Sequence, residues 1–382
     1  MVLLNDFKRQ WEAISPEMIR AFERVGQSGY YILGPEVAGF EQALASYWGL
    51  PHAVGVANGM DAIEIALRAL GVSQGDRVLT TPLTAFATTL AILRVGATPV
   101  FCDVDGNGLM DLTEARRVLL AASERGAKIR AMVPVHLYGH CLDLDALESI
   151  QKEFGLLLVE DCAQSIGANW QGRPCGSVGS WAATSFYPTK NLGCMGDGGA
   201  LLSRSSEQAE LAKCLRHYGQ RQRYNHAELG LNSRLDELQA ALLKDAILPR
   251  LKSWTERRRQ VASRYLAEIK NPTIRSCRLP EQVASVWHLF PVFVSDPKFR
   301  PSLEMHLKSK GVQSGCHYPI LVQDQQAYCK AVDSSALESS AYTPRALQLA
   351  ETELSLPIHP FITDAEVAQV IEAVNCWRPS GS

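Results

Sequence analysis

Between residues 52 and 204 the polarity pattern of the chain changes period again and again. Short apolar runs at 53–57, 78–81, 100–104, 129–135, 156–160, 182–186 and 200–203 alternate with segments of helical periodicity. Several runs are continuously apolar and not alternating, which predicts strands covered on both faces. Within 59–70, Ile63, Ala66, Leu67 and Leu70 fall at i, i+3, i+4 and i+7, one face of a helix. Strand, helix, strand in this rhythm predicts an α/β fold, a mostly parallel central sheet with helices on both faces.

After residue 231 the texture changes. Residues 233–269 read as a long helical region interrupted at Pro249, followed by a tail richer in proline with mixed strand and helix signals. The expected division is an N-terminal arm and large domain over 1–250 and a small C-terminal α/β domain over 251–382. The first 35 residues read as an arm or helix packed on the main body, and a cleft is expected between the domains.

Composition narrows the classes. The 382 residues, 46% hydrophobic and 20% charged, suffice for one large core and a smaller second one. A net charge of -2 gives no electrostatic reason to expect a nucleic acid or an anionic membrane as partner. Arg257, Arg258 and Arg259 read as a solvated helix face. The ten cysteines are scattered, without zinc spacing, so no metal site is expected. The apolar start Val2-Leu3-Leu4 is broken by Asn5, Asp6 and Lys8, unlike a signal peptide, and no apolar run approaches a membrane span. Buried free thiols in a reducing, cytoplasmic setting are expected, with Cys162 and Cys194 as small core residues.

Three segments carry chemistry. Val159-Glu160-Asp161 ends a buried strand in an acid pair, where open α/β sheets bind ligands. Asp161 reads either as a helix cap or as a carboxylate that keeps a cationic ligand group protonated. Ser185-Phe186-Tyr187-Pro188-Thr189-Lys190-Asn191 delivers a lysine from a strand end into a loop followed by glycines. Desolvated there, its amine is easier to deprotonate and more nucleophilic, as a Schiff-base lysine requires. Asn58-Gly59-Met60-Asp61 turns a strand into a helix, whose free N–H groups and dipole make an anion seat. An acid, a lysine and a phosphate seat are what pyridoxal phosphate (PLP) needs.

The ordered motifs, from Gly34-Pro35-Glu36-Val37 through Asn58-Gly59-Met60-Asp61-Ala62, Pro134-Val135-His136-Leu137-Tyr138-Gly139, Glu160-Asp161-Cys162-Ala163-Gln164 and the Lys190 loop to Asn232-Ser233-Arg234-Leu235-Asp236-Glu237, His317-Tyr318-Pro319 and Leu356-Pro357-Ile358-His359-Pro360, span nearly the whole chain. Together they resemble the DegT/DnrJ/EryC1/StrS family of sugar aminotransferases, of fold-type-I PLP architecture.

The resemblance implies that Lys190 holds the cofactor aldehyde and Asp161 pairs with its ring nitrogen. It places Gln164 beside the ring and gives the phosphate to Ser185 and the backbone of Gly59 and Met60. Asn232 would reach the phosphate of a neighbouring subunit, making the active unit a homodimer with shared sites; the alternative is an N-cap for the helix near Leu235. His317 and Tyr318 would line the substrate side, or His317 is a satisfied core residue. The family's ring-stacking aromatic after the loop threonine is displaced here: Thr84 is followed by Ala85, then Phe86. Phe86 either stacks or packs in the core.

The implied reaction moves an amino group from glutamate to a nucleotide-linked keto-sugar. The segment Gly219-Gln220-Arg221-Gln222-Arg223-Tyr224-Asn225-His226 favours 3-keto over 4-keto acceptors. A cyclitol aminotransferase is the alternative. Lys190 argues against a PLP-dependent sugar dehydratase, and the retained lysine and acid argue against a non-catalytic regulator.

Overall fold

A computed structural model describes residues 1–332 and 342–379. All seven predicted strand runs form strands, most of them shifted by a residue or two and the 129–135 run reduced to two paired residues: β1 (His52–Val56), β2 (Arg77–Thr80), β3 (Thr98–Phe101), β4 (Ala131–Met132), β5 (Leu157–Asp161), β6 (Trp181–Ser185) and β7 (Gly199–Ser203). They build one sheet in the order β1-β7-β6-β5-β4-β2-β3. The pairs from β6 to β3 are parallel, and β7 runs antiparallel to both neighbours.

The continuous apolar runs follow from this arrangement. Val78, Ala131, Val159, Trp181 and Leu201 point into one buried cluster, while Leu79, Met132, Leu158, Ala182 and Leu202 point into the other. Alternate residues of a strand face opposite sides, so covering both faces demands apolar residues at every position. The first cluster is completed by α3 (Gly59–Ala69) and α4 (Phe86–Arg94), through Ile63, Leu67 and Ile92.

The N-terminal arm is α1 (Phe7–Ser28), burying Ile14, Met18, Ala21 and Val25 on one stripe and ending at Gly29 in the left-handed region. The next helix, α2 (Pro35–Trp48), starts against Glu237. That carboxylate accepts from the backbone N–H groups of Gly34 (2.8 Å), Glu36 (2.9 Å) and Val37 (2.8 Å). An anion on orphan donors at a helix start is favourable twice over, by hydrogen bonding and by the dipole. Gly34 is required for space, because a Cβ there would stand 2.7 Å from Glu237 Oε2. Two motifs two hundred residues apart are therefore one clasp.

The region read as one long helix starts later than expected. Helix Glu237–Leu242 passes through a π turn (Leu243–Ile247) and a 3-10 turn (Leu248–Arg250, holding Pro249) into helix Leu251–Glu268. Asp236 occupies the N-cap position, so Asn232 is not a helix cap; it pairs instead with His217 in an isolated bridge. A second, antiparallel sheet follows: β8 (Ile274–Ser276), β9 (Phe290–Val294) and β10 (Glu353–Leu356), in that order.

The arginine triplet overturns its expectation. Arg258 is buried and donates from Nη1 to the carbonyls of Trp287, His288 and Ile358, while Arg259 donates to Ser285 O at 2.8 Å and Arg257 to Ile362 O at 2.7 Å. Burial lowers the Arg258 pKa to about 10. These side chains pin residues 285–288 and 358–362 to one helix. Residues 283–289 in turn reach the first layer, where Val286 N donates to Gly139 O and Val283 pairs with Trp170.

Candidate active site

The carboxyl ends of β5 and β6 and the turn after β1 converge. Asp161 closes β5 and is 4% exposed. Its Oδ2 accepts from Thr88 Oγ1 at 2.8 Å and its Oδ1 from Ala163 N at 3.0 Å. Thr88 gives its single hydrogen to the acid, so it accepts from the Thr84 hydroxyl 3.2 Å away. No helix follows Asp161; residues 162–168 are turns and irregular chain, which removes the helix-cap reading. A buried carboxylate with lone pairs left open favours a cation beside it.

Lys190 stands half-buried in the turn beyond β6. Burial lowers its pKa to about 8, against the opposing pull of Asp161. The adjacent Asn191 donates from Nδ2 to Val286 O (3.1 Å), which leaves Oδ1 to accept from His288 Nδ1 at 3.2 Å. His288 is held well below the ordinary imidazole range by burial, and then by Lys190 and Arg258. It is therefore neutral and adds no second positive charge.

Strand register builds the anion seat. Val56 pairs with Gly199, and Gly199 with Ser185, which brings Ser185 beside the first residues of α3. A Cβ on Gly59 would lie 2.7 Å from Ser185 Cβ, and one on Gly199 would lie 2.4 Å from the Asn58 carbonyl carbon. Asn58 caps α3 by accepting from Asp61 N at 2.8 Å. The N–H groups of Gly59 and Met60 take no partner among the described residues, and Met60 packs its side chain against the core.

Of the other expected site residues, Gln164, His317 and Tyr318 lie together within electrostatic reach of Asp161 and Lys190, whereas Phe86 and Asn232 do not join them. Gln164 is buried, its Oε1 accepting from Tyr138 N (2.6 Å) and its Nε2 donating to Tyr318 Oη (3.2 Å). His317 precedes Tyr318 with ring centroids 5.7 Å apart, and Tyr138 Oη donates to His317 O at 2.5 Å. Phe86 opens α4 and packs against the cluster of Phe101, Val322 and Tyr328. Asn232 is exposed and away from the described contacts of Asp161 and Lys190.

Sequence reading missed Thr88, Tyr138, His288 and Glu353. Thr88 had a signal, lying two residues beyond Phe86 in the same loop-to-helix turn; the rest are joined to the site by long-range folding. The fold also gathers His136, Cys141 and Cys175, with ligating atoms within 4.8 Å of one another. Both imidazole nitrogens are already engaged: Nε2 with Glu160 (2.9 Å), and Nδ1 accepting from Leu142 N (3.1 Å). Glu160 also accepts from the N–H groups of Gly176, Val178 and Gly179. The cluster is a buried hydrogen-bonded hub behind Asp161, whose carbonyl accepts from His136 N.

The model of the DegT/DnrJ/EryC1/StrS aminotransferase family matches residues 12–375. The chain belongs to this family. One relative of this DegT-family chain, the dTDP-3-amino-3,4,6-trideoxy-alpha-D-glucose transaminase of Streptomyces venezuelae, is 42% identical over 375 residues, 97% of this chain and 95% of the relative. A crystal structure of S. venezuelae DesV in complex with a ketimine intermediate matches with a TM-score of 0.90, covering 98% of this chain and 97% of that one. NtdA of Bacillus subtilis with bound cofactor PMP matches at TM-score 0.82 and 26% identity, covering 97% of this chain and 82% of that one. The DegT-family chain is a PLP-dependent sugar aminotransferase. Its buried acid, half-buried amine and glycine-lined helix start fit a cofactor with a basic ring nitrogen, an aldehyde and a phosphate. Among the described residues no helix is long and apolar enough to cross a membrane.

Proposed function

We propose that the chain transfers an amino group from glutamate to a nucleotide-linked 3-keto-sugar, with Lys190 as the cofactor-holding residue and proton carrier. The half-buried Lys190 amine, within electrostatic reach of Asp161 at the strand ends, carries this reading. Ser185 and the N–H groups of Gly59 and Met60 would hold the phosphate, Gln164 and Phe86 would flank the ring, and Asp161 would bond its nitrogen. When bound, PLP supplies an electron sink for the carbanion formed at the substrate's amine-bearing carbon.

Lys190 Nζ would hold the cofactor's aldehyde, and as a free amine it would stay in place to carry a proton. With a pKa near 8, that amine is substantially neutral at mildly alkaline pH and accepts the α-proton, then gives a proton back on the return path. Asp161 stays fixed by Thr88 and Ala163 N, so it does not turn away as charge moves. Tyr318 meets Gln164 across the chain, and with His317 it would face the acceptor.

The 3-keto preference rests on the 219–226 segment and on a relative whose printed name carries a 3-amino sugar. Arg221 and Arg223 on that segment are exposed, Arg221 paired with Glu228 at 3.6 Å, and would meet a diphosphate. The active unit is read as a homodimer: Asn232 is exposed, and α1 and the following turn expose Trp11, Phe22, Tyr30 and Tyr31, apolar area suited to a second copy. The test is amination of nucleotide-linked 3-keto and 4-keto sugars and of a keto-inositol with glutamate as donor. Preferred turnover of the 3-keto sugar supports the reading; turnover of keto-inositol alone replaces it with the cyclitol activity.

A further inference from the structure

Strand β10 has the sequence Glu353-Leu354-Ser355-Leu356, an alternation that by itself reads as a half-exposed strand with a polar face to water. The structure buries all four residues, with Glu353 1% exposed and Ser355 0%. A buried carboxylate requires donors, and these come from one place. Glu353 Oε2 accepts from His317 N at 2.6 Å, and Oε1 accepts from Ser355 Oγ at 2.6 Å. Ser355 Oγ also lies 3.0 Å from His317 Nδ1.

The hydrogen count along this chain is closed. Ser355 has one hydroxyl hydrogen and gives it to the carboxylate, so toward the imidazole it accepts, and Nδ1 carries the hydrogen. Burial and the nearby Lys190 lower the His317 pKa to about 4, so the ring is neutral and Nε2 keeps a lone pair. Nε2 bonds to none of the described residues and is not among the buried unpartnered atoms. Burial raises the Glu353 pKa to about 7, offset by Ser355, His317 N and Arg300, so the carboxylate is mainly ionised at pH 8.

We propose that Glu353 and Ser355 are positioning residues that fix the hydrogen of His317 on Nδ1, so that Nε2 accepts a hydrogen bond from a hydroxyl of the sugar acceptor. The inference rests on the reading that His317 faces the acceptor. It makes the site selective for an acceptor that offers a donor at that point, since a site built to accept a substrate hydrogen bond rejects an analogue lacking it. Glu353→Gln reverses the chain: the amide oxygen keeps His317 N, the amide NH2 donates to Ser355, Ser355 donates to Nδ1, and the ring hydrogen moves to Nε2. Ser355→Ala breaks the link without imposing either form.

The experiment combines ring-nitrogen NMR and kinetics on the holoenzyme at pH 8. In protein labelled with 15N-histidine, His317, assigned by its loss in His317→Gln, should show Nδ1–H in the wild type and Nε2–H in Glu353→Gln. The KM for the keto-sugar should rise about tenfold in Glu353→Gln and in Ser355→Ala, the loss of about one hydrogen bond. The half-reaction with the amino donor alone should stay within about twofold. A wild-type Nε2–H form, or unchanged acceptor KM in both variants, overturns the proposal. His317→Gln separates the two levels: no change in acceptor KM there removes His317 from the acceptor side, whereas a rise there with none in Glu353→Gln and Ser355→Ala defeats the relay alone.

Discussion

At the scale of single residues, the site is a set of polar groups whose cost of burial is turned to use. Lys190 shows it most simply. Its pKa lies near 8 in the fold against 10.5 unperturbed, so the charged form is disfavoured by folding. That penalty is full below pH 8 and gone above about pH 10.5, where the amine is neutral both folded and unfolded. Lys190→Met should therefore stabilise the cofactor-free enzyme by about 1–3 kcal/mol at pH 6.5 while abolishing turnover. The gain should shrink as pH approaches 10.5, measured as the difference in Tm across pH; a destabilised variant at pH 6.5 would show that the amine is paired and not strained. Thr88→Val keeps the shape of the side chain but removes its hydrogen bond to Asp161. A hydrogen bond to a charged group contributes about 1.5–3 kcal/mol, so cofactor Kd should rise about tenfold to a hundredfold in an absorbance titration. An unchanged Kd would show that Thr88 is dispensable to the acid.

Elements were legible where periodicity determines them and obscure where long-range partners do. The seven strands of the main sheet were readable because both faces need apolar residues. Strand β10 was not, because Glu353 and Ser355 look solvated until His317 is placed against them. Arg258 failed for the same reason: a charge in a helix reads as surface, and nothing local announces the three carbonyls that hold it. Asp161 and Lys190 stood out because a strand end states where a side chain emerges, whereas Asn232 lacked such an anchor and its cap reading went to Asp236. At the start of α3, Gly59→Ala would set a methyl 2.7 Å from Ser185 Cβ. The element must shift there, so PLP affinity should fall at least tenfold while affinity for pyridoxal, which lacks the phosphate, stays within twofold. Equal losses for both ligands would place the damage outside the anion seat.

For the whole molecule, the proposal that two copies share their sites makes a prediction no single chain can meet. If Asn232 serves the neighbour's phosphate, Lys190→Ala and Asn232→Ala homodimers are each impaired by separate defects. Co-refolded, a mixed dimer has one site carrying both changes and one carrying neither. Mixing should restore about a quarter of wild-type activity, since half the dimers are mixed and half their sites are intact; no recovery in verified mixed dimers would confine Asn232 to its own subunit.

The most direct test of the central claim is the visible absorbance of purified protein reconstituted with PLP, before and after adding glutamate without an acceptor. The account predicts a yellow protein that bleaches with glutamate, regains colour with a keto-sugar, and loses this cycle in Lys190→Ala. A protein that stays colourless with PLP, or a Lys190→Ala variant that cycles at the wild-type rate, would contradict it.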